Sequence, residues 1–275
     1  MADRHQIGEL AGKVAIVTGA GRMRGMGRST ALALARAGAD VVITGTGRGP
    51  ESYPKDEREA GWRDVESVAD EIRQLGTRAL PLTVDITNSG DIDALIGRTL
   101  ASFGRIDILV NNSAYPKAGD RRPAVDLPEE IWRQVIEVDL TGTFLCSRAV
   151  ARQLIRQGEG GRIVNFASLA GKRAKANMSA YVAAKFGVVG LTQALAIELG
   201  EHGINVNCVC PGSVDTSRQA GGQRAAWELE AKASTALGRL GTADEIAAVV
   251  RFLCSPAAAF ISGQSINIDG GRVMH

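Results

Sequence analysis

The chain has 275 residues, 45% of them hydrophobic, which suits one large or two small globular domains. Its 32 Lys+Arg against 30 Asp+Glu leave a net charge of +2, which gives no reason to expect nucleic acid or an anionic membrane as partner. With 33 glycines and 4% aromatic residues, the composition fits many tight turns and close helix–sheet packing rather than a disordered chain.

The first ten residues are polar and charged, with no apolar core of a secretory signal. No apolar run is expected to reach the roughly 18–20 residues of a membrane span. A soluble cytoplasmic protein is the expectation. Cys146, Cys208, Cys210 and Cys254 form no Cys-x-x-Cys pair, so they read as buried free thiols. His5, His202 and His275 are scattered, with no metal spacing.

In chain order, Lys13–Thr18 reads as a short apolar strand. Gly19-Ala20-Gly21-Arg22-Met23-Arg24-Gly25-Met26-Gly27 follows, and a helix pattern runs from Arg28 to Ala37. Strand, glycine-rich turn and helix is the context in which a helix N-terminus receives a pyrophosphate. Asp40–Thr44 is a second strand, and the polar stretch from Gly45 to Gly61 reads as a surface loop. A helix marked by Val65, Val68, Ile72 and Leu75 leads to a strand from Ala79 to Val84 that ends in Asp85. A helix through Ile92 and Leu95 leads to a strand from Ile106 to Val110, ending in Asn111-Asn112-Ser113-Ala114. A long helix covers about Glu129 to Gln157, with a break in composition at Thr141-Gly142. Gly161–Ser168 is a strand, followed by a helix carrying Tyr181 and Lys185. Ile204–Cys210 is a strand ending in Pro211-Gly212, and the segment from Ser213 to Leu240 is polar. A helix through Ile246, Val249 and Leu253 and a strand at Ser265–Ile268 close the pattern.

Alternating strands and helices predict an α/β fold: a single-domain, Rossmann-type, doubly wound parallel sheet of about seven strands with helices on both faces. The cofactor half would cover about 1–160, and the catalytic and substrate half about 161–275. Ligands bind such a sheet outside the carboxyl ends of its strands. Gly19, Asp85, Asn111, Ser168 and Pro211 all lie at or just past such ends.

Tyr181 and Lys185 are four apart on a helix and so share a face. A phenol has an ordinary pKa of about 10. A nearby cation favours the phenolate, and the tuned tyrosine can then exchange a proton with a carbonyl or alcohol oxygen. Ser168 could donate to the same oxygen. An ordinary surface pair is the competing explanation of Tyr181 and Lys185 taken alone.

Together, Thr18-Gly19…Gly25-Met26-Gly27, Asp85, Asn111-Asn112-Ser113-Ala114, Ser168, Tyr181-x-x-x-Lys185, Pro211-Gly212 with Thr216, and the closing Gly263–Gly271 stretch resemble the short-chain dehydrogenase/reductase family over essentially the full length. The general look is to its 3-oxoacyl-thioester reductase and alcohol-dehydrogenase-like members. The resemblance implies hydride transfer between a nicotinamide cofactor and a carbonyl/alcohol pair. It implies Tyr181 as acid or base, Lys185 as the cation that tunes it and binds the nicotinamide ribose, and Ser168 as holder of the substrate oxygen. Gly19, Gly25, Met26 and Gly27 would hold pyrophosphate. Asp85 and Ile86 would contact adenine, and Asn111 would line the cofactor cleft. Pro211, Gly212, Val214 and Thr216 would meet the nicotinamide end, and residues 213–240 would form a substrate lid. A homotetramer packed through the long helices and the C-terminal strand region is also implied.

This sequence departs from the family pattern in three places. Five residues, rather than three, separate Gly19 from Gly25, and Ser113-Ala114 replaces the usual Ala-Gly. Asp139 stands where most members carry a catalytic asparagine. Its main-chain carbonyl can keep the asparagine's role, or its carboxylate can pair with Lys185. Strand two ends in Thr44-Gly45-Thr46, without the carboxylate that holds a free adenosine ribose. Arg24 and Arg48, with Arg22 as a further candidate, therefore favour NADP(H). NAD(H) stays open, because Glu51 or Asp56 in the insertion could fold back. An NAD-dependent alcohol or polyol dehydrogenase, and a cofactor-binding protein without activity, are the alternatives. In the lid, Trp227, Leu229 and Leu237 suit a partly apolar small-molecule substrate, while Arg218 and Arg224 either meet an anion or face water.

Overall fold

The strands are short and rich in Val and Ile, and they alternate with helices from residue 14 to residue 268. A computed structural model describes residues 8–116, 119–217 and 224–274. The first half contains β1 (Val14–Val17), α1 (Met26–Arg36), β2 (Asp40–Gly45), α2 (Lys55–Glu59), α3 (Val65–Gln74), β3 (Ala79–Thr83), α4 (Ser89–Phe103) and β4 (Ile108–Asn111). Next come α5 (Glu129–Ile136), a π-helical turn at Glu137–Thr141, α6 (Gly142–Gln157), β5 (Gly161–Phe166) and α7 (Ser179–Leu199). The chain continues through β6 (Ile204–Pro211), β7 (Val214–Asp215), α8 (Arg224–Ser234), β8 (Gly241–Thr242), α9 (Ala243–Cys254) and β9 (Ser265–Ile268).

Seven strands form one sheet in the order β3-β2-β1-β4-β5-β6-β9, every neighbouring pair parallel. The chain winds outward from β1 to β3, returns to the middle at β4, and winds outward the other way. The switch point lies between β1 and β4. Side chains alternate across the sheet. Ala15 and Val17 pack on one face against Leu34, Ile72, Ile246 and Leu253. Val14 and Ile16 pack on the other against Leu95, Val150, Leu154 and Leu195. The two cores hold the sheet between α1, α3 and α9 on one side and α4, α6 and α7 on the other.

Two expectations are corrected. The 45–61 stretch is not a plain surface loop. It contains a 3₁₀ turn at Pro50–Ser52 and the helix α2, and it buries Tyr53 and Glu57 against the glycine loop. The physical reason is that its polar groups have partners waiting there, as described below. Second, the helical stretch Ser179–His202 has 24 residues and a mean hydropathy of 1.5, so it is long and apolar enough to cross a membrane. Here it lies on the sheet, burying Ala184, Val188, Thr192, Leu195 and Leu199. All four cysteines are free and buried, as their apolar settings suggest.

Candidate active site

Because the sheet is parallel, the residues after β1, β3 and β5 and at the ends of β2, β4 and β6 share one rim. The glycine loop opens that rim. Gly25 is the N-cap of α1, which has eleven residues, no side-chain cap and no acidic residue in its first turn. Such an end offers free N–H groups and a positive dipole to a phosphate. Gly27 admits no side chain, because a Cβ there would strike the Asn112 amide and, at 2.8 Å, the Gly19 carbonyl. Asn112 Nδ2 donates to the carbonyls of Thr18 (3.0 Å) and Gly19 (2.9 Å), which ties the β4 end to the loop. This donor set fits a dinucleotide pyrophosphate.

The lengthened glycine loop and the 45–61 insertion fit each other. Glu57, fully buried, accepts from the Met23 N–H (2.9 Å) and from Arg48 Nη1 (2.9 Å). The Trp62 indole donates to the Gly21 carbonyl at 2.7 Å. The extra loop residues thus find their backbone partners in the insertion and just past it. Arg48 also reaches Asp64 Oδ1 (3.3 Å) and lies over the Tyr53 ring, 4.9 Å from its centroid. Burial opposes the Arg48 charge, but hydrogen bonding to Glu57 and attraction to Asp64 outweigh it and hold the guanidinium above its ordinary range. Arg24 Nη2 pairs with Asp215 Oδ1 at 2.5 Å, and Arg24 Nη1 lies 3.8 Å from Asp56. Its carbonyl accepts from the Ser217 N–H at 2.8 Å, joining the glycine loop to the segment after β6.

At the other end of the rim, Ser168 follows β5 and caps the short turn Leu169–Gly171, its Oγ accepting from the Ala170 N–H at 3.1 Å. Lys185 is buried on α7 and donates to the Phe166 carbonyl at 3.0 Å. Its Nζ lies 5.6 Å from the centroid of the Tyr181 ring. The Arg121 guanidinium covers the same ring at 4.4 Å and pairs with the buried Asp120 at 3.1 Å. Asp139 sits in the π turn, fully buried. Its Oδ1 accepts from the Tyr115 N–H at 2.5 Å, and its Oδ2 lies 3.6 Å from Lys185 Nζ without a hydrogen bond. Its carbonyl accepts from the Thr143 hydroxyl at 3.0 Å. The carboxylate therefore faces Lys185, and the compositional break near Thr141-Gly142 is a bulge that aims it there.

Asp85 is exposed past β3, accepting from the Thr87 N–H and hydroxyl, while Ile86 is buried in the core. The Asn111 side chain turns inward, donating to Ser147 (2.9 Å) and Asn165 (2.8 Å). Pro211 ends β6, Val214 and Thr216 are buried, and Gly212 is packed against Asp269. Arg218 lies outside the described residues. Arg224 pairs with Asp215 and Glu228. Sequence reasoning missed Asn112, Glu57, Asp64, Trp62, Tyr115 and Arg121. Only the second Asn of Asn111-Asn112 carried a visible signal. Tyr115, Glu57 and Trp62 act across 24, 34 and 41 residues of chain, so no local pattern marks them.

The sequence matches the family model described as "Enoyl-(Acyl carrier protein) reductase" over residues 19–272. It is 38% identical over 271 residues to a 3-oxoacyl-[acyl-carrier-protein] reductase from Synechocystis sp., covering 96% of this chain and 98% of that protein. The chain belongs to the short-chain dehydrogenase/reductase family. Cis-4-hydroxycyclohexanecarboxylate dehydrogenase from Sinomonas cyclohexanicum is 39% identical to this short-chain dehydrogenase/reductase over 261 residues, 94% of this chain and 96% of that one. The structure of carveol dehydrogenase from Mycobacterium avium in complex with NAD superposes with a TM-score of 0.87 at 30% identity, covering 96% of this chain and 99% of that one. This member of the family is an oxidoreductase that uses a nicotinamide cofactor and acts on alcohol or carbonyl groups.

Proposed function

We infer that Tyr181 is the proton donor and acceptor to the substrate oxygen, that Ser168 holds that oxygen, and that Lys185 orients the cofactor ribose beside them. The observation that carries this reading is Lys185. It is buried and pinned to the Phe166 carbonyl, two residues before Ser168 and on the same α7 face as Tyr181. A buried ammonium held beside a phenol at a strand's carboxyl end fits acid–base work better than a surface pair. The cofactor supplies the hydride when bound. Gly19, Gly25, Met26 and Gly27 would hold its pyrophosphate, with Asp85 and Ile86 near adenine and Pro211, Gly212, Val214 and Thr216 near the nicotinamide. Asn111 supports this cleft from behind, through Ser147 and Asn165.

The NADP(H) expectation needs Arg24 or Arg48 to be available to a phosphate. Both are ion-paired, Arg48 with two carboxylates, which favours NAD(H) instead. Leu229 and Leu237 are exposed in the lid, and Arg224 is occupied by Asp215 and Glu228, which supports an apolar ketone or secondary alcohol over an anionic one. Phe144 and Ile155 on α6, and Phe186 and Ile197 on α7, are exposed at matching spacings of eleven residues, and Phe260 is exposed near β9. These apolar stripes support a homo-oligomer packed through the long helices.

The test is the change in nicotinamide absorbance with NADH and NADPH against ketones, 3-oxo esters and secondary alcohols. Turnover should be lost in Tyr181→Phe while dinucleotide binding persists. Unaltered turnover in that variant would remove Tyr181 from the mechanism.

A further inference from the structure

The end of β2 carries no carboxylate of its own, but one lies beside it in space. Gly45 ends β2 about 20 residues beyond the glycine loop, the place from which an acidic side chain reaches the adenosine ribose in dinucleotide folds. A Cβ built on Gly45 would lie 3.4 Å and 3.5 Å from the two carboxylate oxygens of Asp64. A Cβ on Gly21, in the phosphate loop, would fall inside that same carboxylate. Asp64 therefore fills the space that Gly45 and Gly21 leave free, between the strand end and the glycine loop.

Three features show that Asp64 is held there at a cost. It stands at the N-cap of α3, where an aspartate normally caps the first turn, yet its side chain makes no capping bond. Its backbone has φ 52° and ψ −129°, a conformation that non-glycine residues seldom adopt. Its side chain is 8% exposed, and Oδ2 has no hydrogen-bond partner among the described residues. A buried carboxylate oxygen without a donor is costly unless a ligand supplies one. Arg48 serves only Oδ1 and is shared with Glu57, so the cluster of one cation and two carboxylates carries a net negative charge.

We propose that Asp64, which follows the 45–61 insertion at the start of α3, accepts the hydroxyls of the adenosine ribose and excludes a 2′-phosphate, making this chain selective for NAD(H). The inference rests on the nicotinamide cofactor reading. It assigns to a residue 19 positions beyond Gly45 the discrimination that the strand end cannot perform. The segment between β2 and α3 then has two linked roles: Glu57 and Trp62 brace the lengthened glycine loop, and Asp64 reads the ribose.

The experiment is calorimetric titration of wild type, Asp64→Asn and Asp64→Gly with NADH and with NADPH, without substrate. Asn keeps the side-chain shape, and Gly relieves the positive φ, so the two variants fail differently if folding is the issue. Wild type should bind NADH about tenfold or more tighter than NADPH, because like charges repel at close range. Asp64→Asn should tighten NADPH by about tenfold, and Asp64→Gly should weaken NADH by about tenfold through the lost charge-assisted hydrogen bonds. Wild type preferring NADPH, or a binding ratio unchanged in the folded variants, overturns the role of Asp64 while leaving the nicotinamide reading intact. No binding of either dinucleotide overturns both.

Discussion

Arg48 and Lys185 are both largely buried cations facing buried carboxylates on the same rim of the sheet. Arg48 meets Glu57 at 2.9 Å, Asp64 at 3.3 Å and the face of Tyr53. Lys185 meets one backbone carbonyl at 3.0 Å and Asp139 Oδ2 at 3.6 Å, beyond hydrogen-bond reach. The first cation is saturated and holds two loops in one arrangement. The second keeps donor capacity in hand beside the phenol. The difference teaches that the count of satisfied partners separates a buried charge that braces loops from one left with donor capacity for a ligand.

Four measurements can break or sharpen that contrast. On the catalytic side, Tyr181→Phe should lower kcat by about 10²- to 10⁴-fold, the usual contribution of a positioned acid–base group, with the dinucleotide Kd nearly unchanged. On the structural side, Glu57→Ala should destabilise the fold by about 3 kcal/mol in a denaturant titration, because it leaves the Met23 N–H unpaired and Arg48 with Asp64 alone. An effect near zero would show that Arg48 is not saturated by Glu57. Asp139→Asn should leave kcat/KM within about tenfold, near 1.4 kcal/mol on the barrier. The amide still accepts from Tyr115, and the main-chain carbonyl is untouched. A much larger loss would mean that the carboxylate beside Lys185 is itself required, and the contrast would then lie between two complete ion pairs. Trp62→Phe should cost about 1 kcal/mol through the lost bond to Gly21.

An exposed pair gives the lower bound. Arg239 and the Thr242 N–H hold the Glu245 carboxyl down to about 2, from an ordinary 4.5. Its folded pKa is depressed, so its stabilisation is fully present above about pH 4.5 and is lost as the pH falls towards 2. The side chain is 44% exposed, so solvent screening makes the effect small. The Tm difference between wild type and Glu245→Gln should therefore be small at pH 6 and shrink towards pH 3.

By itself, the sequence determined the alternating α/β order, the glycine loop opening α1, and the placing of Ser168, Tyr181 and Lys185 at one rim. These depend on short-range signals: period-two and period-3.6 apolar patterns, a glycine-rich turn, and an i,i+4 pair. The rim itself follows from topology, since parallel strands bring all their carboxyl ends to one edge. The tertiary structure alone decided what Gly45–Gly61 does. Polar composition reads as loop, but Glu57 and Tyr53 are buried because the Met23 N–H and Arg48 lie across from them. It also set the ion pairs of the two loop arginines. Arg24 and Arg48 look like free cations in one dimension, and their neutralisation by Asp215, Glu57 and Asp64 appears only when separate segments meet. Coulomb partners are set by distance in space, and chain separations of 9 to 191 residues carry no local trace of them.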